Sequence, residues 1–206
     1  MTFKDIIESK TLNLGNVYRY SGFYLINKES VADHMVQVFY IGLGIAEELS
    51  EEGINFRRDA YALKVLVHDL EEAALCDIPR PVKYHSETLR KELEYLAKDT
   101  IAEFSNEFPN AKLPFIWHFC KDQSVEGRVL RLADTLQVIR KVHEEIALLN
   151  NYHMIPVAKK TQGYLVNKKE YFATHPEINL AEKQVYVKFI NEAIDYVTEM
   201  LEGIRL

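Results

Sequence analysis

Apolar residues along this chain recur at helical rather than strand spacing. Val31, His34, Val38, Ile41 and Ile45 share one face at about 100° per residue and predict a helix from Val31 to about Leu49 with Ser30 as its N-cap. Gly53 breaks the pattern, and a second helix is expected from about Arg57 to His68, continuing through Cys76. Asp77-Ile78-Pro79-Arg80-Pro81 must end it, because two prolines cannot continue a helix. Helices are also expected over 86–107, Phe115–Cys120, Ser124 to about Asn150, and Leu180–Gly203, with a short leading one over 2–9. Residues 10–30 read as an ordered loop holding a helical turn, and 151–179, with Gly163 and Pro176, as irregular. Six to eight helices and no convincing strand set predict an all-α, bundle-like fold.

Composition narrows this picture. A chain of 206 residues suits one domain, residues 1–206, with a sizeable core. Eight glycines and six prolines are few for a fold built on many turns. A net charge of −6 argues against stable nucleic-acid binding, which needs a basic face, but allows a small anion held by local cations. Cys76 and Cys120 are too few for a disulfide framework and read as free thiols of a reducing compartment. MTFKDIIESK lacks the basic and apolar regions of a signal peptide, and no run reaches the length of a membrane span. The expectation is a cytoplasmic protein.

The chemistry concentrates in VLVHDLEEAALCDIPRPVKY. Burying His68 beside Asp69 is costly unless something compensates both, and a divalent cation does. His34 lies in the middle of an apolar stripe, and Asp134 stands between Leu130 and Val138 on an apolar face. Two imidazoles and two carboxylates from three segments suit Mn, Fe, Co or Zn. The competing reading of His34 is a hydrogen-bonded core histidine, and that of Asp134 a salt bridge to Lys or Arg. If the helix runs past the doublet, Glu72 points between His68 and Asp69, where a carboxylate can act as general acid or base; Glu71 is rotated away and solvated or paired. Asp77, Arg80, Lys83 and Tyr84 sit on a proline-stiffened turn that suits phosphate recognition, or simply ends a helix. Arg19 stands among Tyr18, Tyr20 and Phe23, a pattern that can bind phosphate and stack on a base.

These pieces resemble the HD-domain metal-dependent phosphohydrolases, and more narrowly their 5'-deoxynucleotidase branch. The matching segments are Arg19-Tyr20, ESVADH at 29–34, HDLEEAALCDIPRPVKY at 68–84 and LADTL at 132–136, within roughly residues 15–140. The resemblance implies an HD-domain helical bundle, commonly dimeric. It implies His34, His68, Asp69 and Asp134 as ligands of one divalent ion (Co, Mn, Zn, Fe or Mg) and Glu72 as the catalytic carboxylate with Asp77 assisting. Arg19 would hold the phosphate, and Tyr20 would pack the sugar and favour 2′-deoxyribose; apart from the resemblance, Arg80 and Lys83 on the proline-stiffened turn are further candidate substrate contacts. The implied reaction is hydrolysis of deoxynucleoside 5'-monophosphates. The chain departs from the family pattern at Tyr20 (usually Trp), Asp33 (usually Glu), Met35 (usually small) and Arg80 (often Thr). Arg80 suggests a triphosphate phosphohydrolase as runner-up. A cyclic-nucleotide phosphodiesterase is disfavoured because only His85 and His118 fall between the doublet and Asp134. A nucleotide sensor that has lost turnover is the non-enzymatic alternative.

Overall fold

The computed structural model describes residues 2–204; Met1, Arg205 and Leu206, the ends of the expected 1–206 domain, lie outside them. The described residues form ten α-helices: α1 Phe3–Ile7, α2 Val31–Glu51, α3 Arg58–Val67, α4 Glu72–Leu75, α5 Arg80–Lys83, α6 Glu87–Glu107, α7 Leu113–His118, α8 Val125–Ala147, α9 Asn151–Thr174 and α10 Leu180–Glu202. Six of these have ten residues or more. They are the bundle the periodicity predicted, and the short α1, α4, α5 and α7 bring the total above six to eight. The expected turn in 10–30 is a 3₁₀ helix, Lys10–Asn16, and an antiparallel bridge between Tyr18 and Ser30 closes the loop behind it.

Ser30 starts α2 through a reciprocal cap: its Oγ accepts from Asp33 N–H, and the Asp33 carboxylate accepts from Ser30 N–H, both at 3.1 Å. The buried face of α2 includes Val31, His34, Met35, Val38, Ile45 and Leu49 and packs on α8. Gly42 lets α3 approach closely. A Cβ there would stand 1.7 Å from the Tyr61 hydroxyl, which instead donates to Val38 O at 2.8 Å. This contact fixes the distance between the helices that carry His34 and His68.

Two expectations are corrected. The helix beginning near Arg57 does not run through Cys76: α3 stops at Val67. The chain then tightens into i→i+3 turns, with Leu70 N–H donating to Val67 O, Glu72 N–H to Asp69 O and Ala73 N–H to Leu70 O. In such turns residues three apart eclipse, so Glu72 lies over Asp69 rather than between the doublet's side chains. Residues 151–174, expected to be irregular, form the longest helix, α9. Pro156 inside it costs about 3 kcal/mol. Met154, Leu165 and Phe172 are fully buried along its inner face, and about 1.5–3 kcal/mol for each such side chain outweighs the proline. α9 packs on α8 and α10, and the side of it beside the buried stripe, with Lys160, Tyr164 and Lys168, lines a cavity.

Candidate active site

The ends of α2 and α3 and the middle of α8 meet at one point. His34, His68 and Asp134 each offer a ligand atom there, all within 4.8 Å of one another. Asp69 Oδ2 lies 3.4 Å from His34 Nε2 and 3.2 Å from His68 Nε2. The two Nε2 atoms are 3.4 Å apart, and His34 Nε2 is 3.4 Å from Asp134 Oδ1. Donors sharing one ion at about 2.0–2.1 Å would show separations of this size. Both histidines are buried while both carboxylates are partly exposed, so the cluster faces a cavity.

The far side of each ring fixes its tautomer. His68 Nδ1 is 2.7 Å from Val65 O, which can only accept. His34 Nδ1 is 2.9 Å from Gln137 Oε1. The Gln137 amide is itself oriented, because its Nε2 donates to Glu29 Oε2 at 2.9 Å and to Gln37 Oε1 at 3.1 Å. Arg19 Nη1 spends its two hydrogens on Glu29 Oε1 and Gln137 Oε1, both at 2.8 Å, leaving none for His34 Nδ1. Nδ1 of both rings therefore carries a proton and both Nε2 atoms face the cluster, where an ion would take the Nε2 lone pairs in place of any second proton. Two lone pairs and two carboxylates turned on one point suit a cation. The same crowding raises His34 to about 9: burial and Arg19 oppose protonation, but Asp134 and Asp69 outweigh them.

Burial raises both Asp69 and Asp134, yet neighbouring charges hold each well below the usual carboxylate range. His68 does most of this for Asp69, and Lys121 for Asp134. Lys121 Nζ donates to Asp134 Oδ2 at 2.7 Å, so the lysine salt bridge and the ligand-like position coexist on one carboxylate. Glu72 behaves oppositely: burial and Asp69 push it up to about 8 against Lys83, which donates to its Oε1 at 3.1 Å. Its buried Oε2 has no hydrogen-bond partner. Glu71 accepts from Trp117 Nε1 at 2.7 Å and is paired.

A cavity of about 700 Å³ opens over the cluster. Its lining includes Arg19, Tyr20, Asp69, Glu72, Asp77, Arg80, Lys83 and Asp134. The structure thus brings every predicted site residue to one place, the two histidines forming its buried floor. Tyr20 N–H donates to Asp77 Oδ2 at 2.8 Å. Backbone strain flanks this contact, since Tyr20 has φ 61° and Cys76 has φ 63°. The Tyr20 hydroxyl, buried without a partner, is pushed up to about 12 by burial. Arg80 lays its guanidinium 4.3 Å from the centre of the Tyr164 ring.

The model of the family described as 5'-deoxynucleotidase YfbR-like matches residues 9–192. The chain belongs to the YfbR-like family. Two curated relatives carry the same activity in their names. The 5'-deoxynucleotidase YfbR of Escherichia coli O127:H6 is 28% identical over 136 residues, 63% of this chain and 67% of that one. The 5'-deoxynucleotidase VP0926 of Vibrio parahaemolyticus is 26% identical over 142 residues, 66% of this chain and 71% of that one. Solved structures share the fold. An HD-domain phosphohydrolase from Listeria innocua matches with TM-score 0.72 at 22% identity, covering 99% of this chain and 100% of that one. The cyanophage S-2L HD phosphohydrolase DatZ, bound to dA and one catalytic Zn2+ ion, matches with TM-score 0.63 at 14% identity, covering 92% and 96%.

This YfbR-like chain also uses residues that sequence reasoning passed over. Gln137, Glu29 and Lys121 support the histidines and Asp134 without being plausible ligands themselves. The available signal for Gln137 was a glutamine three residues after Asp134 in an otherwise apolar run, VLRLADTLQVI. Lys160, Tyr164, Asn167, Lys168 and Tyr171 line the cavity from α9, outside the segments that carried the resemblance. Both cysteines are free thiols. No helix among the described residues is long and apolar enough to cross a membrane.

Proposed function

We propose that this chain hydrolyses deoxynucleoside 5'-monophosphates to deoxynucleoside and phosphate with one divalent ion held by His34, His68, Asp69 and Asp134. The observation that carries this reading is the convergence of two oriented Nε2 atoms and two carboxylates beside an unpartnered Glu72 Oε2 in one cavity. A bound ion would supply Lewis acidity at a phosphoryl oxygen. The donor set suits Zn, Mn, Co or Fe better than Mg.

The remaining work falls to side chains. In its ionised form, favoured once a cation at the cluster offsets the Asp69 charge that raises it, Glu72 would take a proton at Oε2 from the attacking water, and Lys83 holds the other carboxylate oxygen in place. Water oxygen bonds to phosphorus, the P–O5′ bond breaks, and O5′ leaves with a proton as the nucleoside hydroxyl. Asp77, tethered by Tyr20 N–H, stands on the same wall to assist that proton's delivery. Arg19 places positive charge near the phosphoryl oxygens while its other contacts hold Gln137. Tyr20 narrows the cavity where a 2′-hydroxyl would enter, which favours deoxyribose.

Phosphate release from matched ribo- and deoxynucleoside monophosphates, before and after chelation and with added Zn, Mn, Co or Mg, tests this. Turnover of the deoxy series that is lost on chelation and restored by one metal is expected. Equal turnover of both sugar series would remove the role of Tyr20, and turnover indifferent to chelation would remove the ion. A single cytoplasmic domain, assembled as a homodimer, completes the reading; the one apolar core supports the single domain, and sedimentation would test the dimer.

A further inference from the structure

Lys121 stands beside a carboxylate that the cluster also needs. Its Nζ donates to Asp134 Oδ2 at 2.7 Å, while Asp134 Oδ1 lies 3.4 Å from His34 Nε2. An ammonium so close to a cation site works against the cation, because like charges repel strongly where water is scarce. For metal binding alone, a neutral donor would orient the carboxylate as well and without that repulsion.

The placement of Lys121 is nonetheless firmly supported. It lies in the elbow between α7 and α8, residues 119–124. Buried Lys64 donates to Phe119 O and pairs with Asp122 Oδ2 at 2.9 Å. Arg131 Nη2 donates to the carbonyls of Lys121 and Asp122. Asp122 Oδ1 accepts from Ser124 N–H at 3.0 Å, and Gly127 makes room for the bend, since a Cβ there would overlap Asp122 Oδ1 and the Asp122 carbonyl. Two cations and a glycine thus hold the backbone from which Lys121 reaches the cavity. Its own side chain is lightly used. Among the described residues Asp134 Oδ2 is its one hydrogen-bond partner, two N–H groups are left over, and 36% of the side chain is exposed in the cavity wall. The other cations beside the cluster are more committed: Arg19 has both Nη1 hydrogens on Glu29 and Gln137, and Lys83 holds Glu72.

A cation held beside a cation site calls for an anion that meets both. We propose that Lys121 is a further catalytic residue, whose ammonium donates to a non-bridging phosphoryl oxygen of the bound ester while it keeps Asp134 in place. This rests on the hydrolase reading above. With Asp134 sharing its charge with an ion, Lys121 is held less tightly, and its free N–H groups turn to the phosphoryl oxygen. Lys121 transfers no proton. It stabilises the negative charge on the phosphoryl oxygens while the bond to O5′ breaks.

The test compares Lys121→Gln, Lys121→Met and Lys121→Arg with the unaltered enzyme in three measurements: Zn affinity against a chromophoric competitor, calorimetric binding of inorganic phosphate to Zn-loaded protein, and turnover of a deoxynucleoside monophosphate by the same Zn-loaded protein. Lys121→Gln and Lys121→Met should bind Zn as tightly as the unaltered protein or more tightly. They should bind phosphate about ten-fold or more weakly, as the loss of a charge-assisted contact predicts, and turn over about 10²–10³-fold more slowly. Lys121→Arg, which keeps the charge, should retain most of the phosphate binding. Glutamine and methionine differ in polarity but match the length of lysine closely, so either folded variant decides. Support of Asp134 alone gives the opposite pattern, weaker Zn binding with phosphate binding and turnover restored once Zn loading is complete, and that result overturns the proposal. Unchanged phosphate binding in a Zn-loaded variant overturns it too. If the unaltered enzyme turns over no nucleotide while phosphate binding still depends on Lys121, the hydrolase reading fails and the phosphate contact stands.

Discussion

Gln137 Oε1 sits 2.9 Å from His34 Nδ1, and the Gln137 amide cannot turn around without facing Glu29 with an oxygen. A neutral side chain that reaches only the far nitrogen of the ring thereby decides which nitrogen of His34 carries the fixed proton. Gln137→Leu should keep the helix, since leucine suits a buried helical position, but should strand His34 Nδ1, Glu29 and Arg19. A loss of about 10–100-fold in metal affinity is expected, as for other groups that orient a ligating imidazole. Metal titration with a chromophoric competitor measures it, and unchanged affinity would return Gln137 to a packing role.

Glu72→Gln should bind a full equivalent of metal and fold normally while turnover falls about 10²–10⁴-fold. Metal analysis paired with phosphate release decides this. Near-normal turnover would shift proton handling to Asp77.

Gly42→Ala should destabilise the protein by about 1–3 kcal/mol, the usual cost of overpacking a tight contact. A Cβ at that position meets the Tyr61 hydroxyl, and Tyr61 is completely buried with nowhere to withdraw. The denaturant midpoint reports the loss. Because the same contact spaces α2 from α3, metal affinity should fall with it.

Cys76 has φ 63° and ψ 168°, a region that only glycine occupies freely. Cys76→Gly should therefore stabilise the fold by about 1 kcal/mol, strain relief exceeding the extra chain entropy of glycine. Thermal unfolding checks the sign, and a lower midpoint would mean that the thiol side chain contributes more than the strain costs.

Glu145 anchors the loop that carries Arg19 and Tyr20. It accepts from Ile26 N–H and Asn27 N–H, both at 2.9 Å, from Asn150 Nδ2 at 2.7 Å, and pairs with buried Lys141 at 3.0 Å. Burial raises its pKa, but these bonds bring it from 4.5 to about 2. A depressed folded pKa contributes stability that is complete above about 4.5 and is lost as pH falls through about 2. Glu145→Gln should flatten the acid limb of the stability curve in that window and lower stability at pH 7 by about 1–3 kcal/mol, because buried Lys141 loses one of its two carboxylates and keeps Glu144 at 3.2 Å. Urea unfolding between pH 2 and 7 tests both.

The helices with a clean apolar stripe were legible from spacing alone: the α2 face and its Ser30 cap fall where the pattern places them. α9 was not, because its buried positions Met154, Ala158, Leu165 and Phe172 are diluted by lysines, Pro156 and Gly163. Its helix is decided by packing on α8 and α10, which no local pattern encodes. The side chains now gathered at the site were legible by residue type and by resemblance, since histidine and aspartate on apolar faces stand out. Their supports were not. Glutamine, glutamate and lysine are common on helices, and only the folded geometry turns Gln137, Glu29 and Lys121 toward the cluster. The break after Val67 was illegible for a related reason: the sequence HDLEEAAL is a good helix former, and the i→i+3 turns there accompany contacts of His68 with Val65 O and of Glu71 with Trp117 that no local pattern encodes.

The cavity-facing stripe of α9 has a practical corollary. Reactive groups come from α2, from the turn after α3 and from α8, whereas the opposite wall belongs to a helix anchored by its own apolar residues. Under the proposed function, the candidate donor set and the α9 wall of the cavity belong to separable parts of the chain. Residues 160, 164, 167, 168 and 171 can be randomised together without disturbing a donor atom, which makes α9 the natural place to retune which nucleotides this scaffold admits.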